Sequence, residues 1–351
     1  MDWTSSMQQS FEFYIVDPDT WMDSERLDTI TAYNINRESS NATLGSATIS
    51  CTESVGECYI RAYLIAIQNG ITEKIPLGTH LVQTPSKKFD GKTIGITMDA
   101  YTPLVELKNT MPPIGYSLIR GQKIMETASR LCRENMRAPV VPTTSDKTLD
   151  SHFVSNLDDN WLTFITDLIA CDKYKFGLDE MGRIIFEPEQ DIAALRPVWI
   201  YDDGNSSILY PDVDDEHDLY GIPNVVEVVY STDAGYMFSR VVNDDENSPV
   251  STVVRKREVV HRESNPSFAG MPTQEYIDAY AESLLRSLSC LEHKITYKHG
   301  YCPVRVGDSV ILNYERAGIH NVKAKVVSQS IKCETGCPVE ETAVYTTKLW
   351  R

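Results

Sequence analysis

The chain has 351 residues, 42% of them hydrophobic and 24% charged, with a formal net charge of −17. That length suggests more than one domain and enough apolar residue to bury real cores. No apolar run approaches the roughly 20 residues needed to span a bilayer, and the excess of acid argues against a protein that grips a polyanionic backbone.

The N-terminus, "MDWTSSMQQSFEF", has no basic stretch followed by an apolar one, so no signal peptide is expected, and synthesis is expected in a cytoplasm without export. The first ~110 residues alternate as β-strands do. "FEFYIV" (11–16) stops at Asp17-Pro18, and "TITAYNINR" (29–37), "GSATISC" (45–51), "CYIRAYLIAI" (58–67), "NGITEKIPLGTHLVQT" and "KTIGITMDAY" (92–101) follow. Short strands at this spacing favour a barrel or sandwich. Pro112-Pro113 ends this region.

A helix is predicted over 118–136, with Leu118, Gly121, Met125, Ala128 and Cys132 on one face, and a second over 160–171 with Trp161, Phe164, Ile165, Leu168 and Ile169 as its apolar stripe. Asp158 or Asn160 is placed to cap the second. Residues 173–188 read as a hairpin turning at Asp179 to Gly182.

Strands are predicted at 222–231 and 248–260, then a helix over 273–291, then strands at 294–300, 303–312, 321–333 and 341–350. The expected organisation is a first β-barrel over 1–112, a small α+β insert over 113–221, and a second barrel over 222–351 interrupted by one helix. The fold class is α+β, mainly β.

"VRVGDSVIL" (304–312) resembles "IPLGTHLV" (75–82) at one offset, 304 − 75 = 229 residues, which pairs Gly78 with Gly307. The sequence reading takes Gly78 and Gly307 as residues that open barrel strands, Asp308 as the residue that orders its turn, and Gly182 as the hairpin turn. Two copies of one barrel are the implication.

Sequences that carry chemistry are missing. No HExxH, GxSxG or phosphate-cradling loop occurs. None of the seven histidines pairs with another at helical metal-binding spacing, and His293 and His299 read as surface imidazoles. Asp212, Asp214, Glu216 and Asp218 alternate like a calcium loop, but His217 and Pro223 stand where such a loop needs Gly and Glu. The acidic segment 202–218 therefore reads as solvated loop. The eight cysteines form no CxxC and read mostly as buried free thiols, with Cys51–Cys58 and Cys333–Cys337 the spacings at which a disulfide would fall. No catalytic residue, metal or cofactor is expected.

The order of pieces does carry a resemblance: "LGSATISC" then "ECYIRAYL", the helix and hairpin of "NWLTFITDLIACDKYKFGLDEMGRIIFEP", "IPNVVEVVYS", "NDDENSPVSTV", the helix "YIDAYAESLLRSL" leading into "PVRVGDSVIL", and the closing "AKVVSQSIKC" and "AVYTTKLW". In this order the chain resembles the hub proteins of phage tails and related contractile injection machines. The resemblance implies two tail-tube-like barrels per chain and a homotrimer, so that three chains present six barrels to a sixfold tube. It also implies a place at the tail tip or baseplate of a virion after assembly in the host cytoplasm. The implied partners are the tail tube protein, a separate central spike protein and the tape-measure protein, with DNA passing through the bore unbound and no membrane insertion. The rival reading is a tail-associated cell-wall hydrolase or peptidase.

Overall fold

A computed structural model describes residues 1–350 except 90–93, 191, 218, 233–234, 267 and 269–271, with backbone only at 84, 88 and 94. No helix among the described residues is long and apolar enough to cross a membrane. The chain packs as two compact units, Met1–Val213 with Thr296–Ala343, and Asp214–Ile295 with Val344–Arg351.

The first seven strands are β1 (Gln8–Val16), β2 (Asp23–Arg26), β3 (Ile30–Glu38), β4 (Gly45–Cys51), β5 (Tyr59–Gln68), β6 (Ile71–Phe89) and β7 (Ile94–Tyr101). Their order in the sheet is β3-β4-β7-β6-β5-β1-β2. Burial alternates along β4, as a strand with one face on a core requires. Tyr33, Ile35, Ile49, Ile60, Leu64, Leu77 and Met98 fill that core. A short helix the sequence reading missed, α1 (Val105–Asn109), precedes Pro112-Pro113.

The insert contains β8 (Ser117–Leu118), α2 (Ile124–Asn135), β9 (Phe153–Val154), α3 (Trp161–Ala170), β10 (Tyr174–Leu178) and β11 (Ile184–Pro188). Helix α2 begins at Ile124 rather than at 118, because Gly121 takes φ +87° and Lys123 is extended. Asn160 caps α3, its side chain accepting from the Thr163 N–H at 2.9 Å. The buried face of α3 shares one core with α2, with Phe176 and Phe186 of the β10–β11 hairpin, and with Trp21, Tyr59 and Leu81 of the first sheet.

Beyond the insert come β12 (Pro197–Asp202) and β13 (Leu209–His217), so the acidic segment is largely strand rather than the expected loop. Residues 222–231 do contain a strand, β14 (Val225–Thr232), but it does not join the large sheet that holds the later strands. It forms a separate three-stranded sheet, ordered β15-β14-β16, with β15 (Gly235–Val242) and β16 (Val260–Ser264). The strand expected at 248–260 is mostly absent: Ser251 caps a short helix, α4 (Thr252–Arg255), which stops at Lys256 with φ +52°. Helix α5 (Gln274–Leu288) lays Ile277, Ala281 and Leu285 on Val226 and Val228 of this small sheet. The last strands are β17 (Cys290–Gly300), β18 (Ser309–Tyr314), β19 (Ile319–Lys332) and β20 (Pro338–Lys348).

Here the duplication becomes visible. The second-half order is β13-β17-β20-β19-β18-β12, and the first-half order is β3-β4-β7-β6-β5-β1. Both sets run in the same chain order, so each strand has one counterpart. One pairing departs from the repeat: β1 meets β5 antiparallel, whereas β12 meets β18 parallel. A ladder between β3 and β19 fuses the two halves into a single 13-stranded sheet. No ladder among the described residues closes either half into a barrel.

The counterpart of β18 is β5, not β6. The sequence offset of 229 therefore does not mark the repeat: it sets β6 against β18, one strand out of phase. Gly78 lies inside β6, at a bulge, rather than at the opening of a strand. The strand expected from 303 begins only at Ser309, because residues before it turn: Gly307 has φ +100°. The Gly307 N–H donates to Val326 O at 2.8 Å, and the Asp308 carboxylate accepts from the Arg305 N–H at 2.9 Å. Gly307→Val should cost about 1–3 kcal/mol of stability, chiefly through backbone strain, since a Cβ there would meet only Glu187 Oε2 at 3.9 Å and Lys175 Nζ at 4.0 Å, ordinary contact distances. Urea unfolding of the variant checks this, and an unchanged midpoint would remove the role.

Candidate functional site

In the first unit the β10–β11 hairpin tip meets both halves of the large sheet. Asp179 to Gly182 makes the turn, with the Gly182 N–H donating to Asp179 O at 2.9 Å and Gly182 at φ +74°. Three first-half side chains hold the tip backbone. Trp21 Nε1 donates to Met181 O at 2.7 Å, Arg61 Nη2 to the same oxygen at 3.1 Å, and Thr79 Oγ1 to Glu180 O at 3.3 Å. Arg61 is 1% exposed, a burial made tolerable because its guanidinium donates from all three nitrogens. It also donates to Asp23 Oδ1 at 2.7 Å, Thr79 Oγ1 at 2.9 Å and Trp21 O at 3.3 Å.

The side chain of Glu180 completes the joint. It receives Arg305 from the second half at 2.5 Å and Arg37 from β3 at 3.6 Å. Arg37 in turn donates to Leu77 O at 2.5 Å and to Gln329 Oε1, on β19, at 3.1 Å. The backbone ladder beneath runs from Asn34–Lys332 to Glu38–Ser328. A cleft of about 410 Å³ lies beside the joint, lined in part by Gly78, Thr79, Phe176, Gly182 and Arg305. Lys175 and Glu187, also in its lining, pair with each other at 3.3 Å.

Gln329 leads from this joint into a buried polar cluster. Its Nε2 donates to Val304 O at 2.8 Å and to Glu341 Oε1 at 2.5 Å. Glu341 also accepts from Tyr297 Oη at 2.7 Å and Tyr201 Oη at 3.2 Å, and its Oε1 lies 3.4 Å from His299 Nε2. Burial alone would push His299 down, but its contacts with Cys302 and Glu341 outweigh that and raise it from 6.5 to about 10. Burial pushes Glu341 up, and His299, Tyr297 and Gln329 together hold it below the ordinary carboxylate value. The pair is thus imidazolium and carboxylate. As a cation His299 donates from both nitrogens, Nδ1 reaching Gly300 O at 2.6 Å.

His299 is fully buried, not the surface imidazole the sequence suggested. The signal was present in "KITYKHG": Ile295, Tyr297 and His299 alternate onto one face, and all three are buried. Cys302 Sγ lies 3.9 Å from His299 Nδ1, but the thiol is 2% exposed and the imidazole 0%, so no substrate can reach the pair. Its chemistry is structural.

Of the glycines nominated from sequence, Gly182 sits at the joint and Gly78 in the adjoining cleft, while Gly307 and Asp308 anchor β18 to β19. All eight cysteines are free. Cys51, Cys132, Cys302 and Cys337 are buried, Cys171 is exposed, and neither short Cys–Cys spacing forms a bridge. Burial pushes Cys58 up to about 11 and Cys132 to about 12, which keeps them as thiols.

No protein-family model and no curated protein matches this sequence. Solved structures do match. The tail protein from Neisseria meningitidis MC58 superposes over 96% of this chain and 97% of its own, with a TM-score of 0.64 at 10% identity. The 43 kDa tail protein of prophage MuSo2 from Shewanella oneidensis gives 96%, 98%, 0.64 and 11% in the same terms. The prophage tail protein gp18 from Listeria monocytogenes EGD-e covers 95% of this chain and 94% of its own, with a TM-score of 0.52 at 12% identity. Across nearly its whole length, and with almost no shared sequence, the chain has the fold of phage tail proteins.

Proposed function

We propose that the chain is a structural virion protein, a homotrimeric hub at the tail tip or baseplate that joins a sixfold tail tube to a threefold central spike. The observation that carries this reading is the repeated strand order with its internal β3·β19 joint. In β19, Ile319 to Lys325 pair with β18, and the strand then runs past β18 to meet β3 with residues 328–332. Its counterpart β6 is built alike. It pairs with β5 as far as Leu81 and continues past it to Phe89 along β7. Nothing among the described ladders takes the β5-side edge of residues 84–89.

The counterpart of β3 is β13, which stands at the end of the sheet with no second strand ladder among the described residues. Repeating the internal joint between molecules therefore places β13 of one copy on residues 84–89 of the next. The charges agree: β13 carries Asp212, Asp214, Asp215 and Glu216, and the β6 end reads "PSKKF". Three such contacts alternate with three internal ones around a closed ring, which leaves no open edge. The net charge of −17 suits a bore that DNA crosses without adhering. Tail tube, spike and tape-measure proteins are the partners this arrangement serves.

Light scattering on the purified chain should give the mass of a trimer. Replacing Lys87 and Lys88 together by Glu sets like charges against β13, at a cost of several kcal/mol, and should shift the protein toward monomer while its circular dichroism spectrum stays that of the folded chain. A wild-type chain that stays monomeric, both in solution and in density maps of isolated tail tips, would overturn the hub. Clearing of a peptidoglycan gel by the purified protein would favour the hydrolase instead.

A further inference from the structure

In the second unit, alternation along β13 puts Asp215 and His217 on one face, and His293 of neighbouring β17 comes up beside them. One ligand atom from each lies within 4.8 Å of the other two. The His293 Nδ1 is sealed from solvent and has no hydrogen-bond partner. Asp215 Oδ1 is 3.5 Å away, too long for a good N–H···O bond. That spacing is instead close to the edge of a coordination tetrahedron, about 3.3 Å when metal–ligand bonds are about 2.0–2.1 Å. The ring is held in place by Tyr345, which stacks on it at 4.3 Å between centroids and 13° between planes. The His217 ring sits 5.4 Å from the His293 ring, on an exposed strand where a rotamer change can bring it closer.

We propose that Asp215, His217 and His293 form a binding site for a divalent transition cation, with Zn²⁺ as the natural occupant. Two imidazoles and one carboxylate are the borderline and hard donors that Zn²⁺ accepts, and a water completes the tetrahedron. Calcium and magnesium, which seek six or more oxygens, are not matched by this set. The bound ion would tie β13 to β17 by bonds additional to the backbone ladder. This inference is independent of the hub reading, since it needs only one chain.

The untagged full-length protein, stripped with EDTA and titrated with Zn²⁺ in a calorimeter, should take up one ion per chain. Co²⁺ in place of Zn²⁺ should give the visible absorption of a tetrahedral complex. His217→Ala and Asp215→Asn, both at exposed positions, should each weaken Zn²⁺ binding by more than roughly tenfold, since even loss of an outer partner of a metal ligand costs about that much. His152→Ala should bind as the wild type does. Absence of Zn²⁺ uptake, or uptake undiminished in His217→Ala and Asp215→Asn, would overturn the site.

Discussion

Gly182→Ala is expected to lower the free energy of unfolding by about 2–6 kcal/mol. Two separate costs combine. The residue holds φ +74°, which a side chain adopts only under strain of about 1–3 kcal/mol. An added Cβ would also stand 2.7 Å from Thr79 Cβ and 3.2 Å from Trp21 Cζ2, and overpacking of this kind costs about 1–3 kcal/mol. Neither neighbour can step aside freely, because Thr79 and Trp21 both donate to the hairpin tip. Gly70→Ala separates the terms: Gly70 has φ +78° and empty space around its Cβ position, so only the first cost applies. Urea denaturation of the two variants should show Gly182→Ala the less stable by more than about 1 kcal/mol. Equal losses would mean that the hairpin tip is not tightly held.

Removing Glu341 should be at least as damaging. Glu341→Ala leaves a buried imidazolium without its counter-charge and orphans donors from Tyr201, Tyr297 and Gln329, a change worth about 3–5 kcal/mol. The same pair gives stability a pH signature. The folded-state value of His299 is raised from 6.5 to about 10, so its contribution is fully present below pH 6.5, declines above that, and is gone once the pH passes about 10. Glu341 is shifted the opposite way, so its share is present above the ordinary carboxylate value and is lost as the pH falls through its lowered folded value. The urea midpoint of the wild type should therefore fall between pH 7 and pH 10. Glu341→Gln, which keeps the shape and removes the charge, should show a much flatter profile over that interval. A parallel slope in the two proteins would mean that general repulsion in an acidic chain, not His299, governs the alkaline loss.

Local features were readable from the residues in proportion to how local their causes are. The α3 helix has its Asn160 cap and apolar stripe within a dozen positions, and the 173–188 hairpin carries its own turn. The segment "STVVRK" misled because its valines favour strands, while the Ser251 cap and the left-handed Lys256 close it as one helical turn. Gly307 does take a positive φ in the turn before β18, yet its sequence match to Gly78 pairs it with the wrong strand, since strand equivalence is set by pairing across the sheet and not by a shared glycine. The joint itself was out of reach of any local pattern. Glu180 looks like an ordinary turn residue until Arg37 and Arg305 arrive from opposite ends of the chain, and Glu341 looks like a solvated acid until four partners surround it.

That dependence on distant sequence has a consequence for biosynthesis. Arg37 and Gln329, which meet across the β3·β19 ladder, are separated by 292 residues. At roughly 5–20 residues per second, about 15–60 s pass on the ribosome between the emergence of the one and of the other. For all of that interval the nascent first half displays a ready strand edge with no intramolecular claimant, the feature that templates unwanted association. A message truncated before β19 would therefore yield an adhesive fragment rather than a smaller working protein.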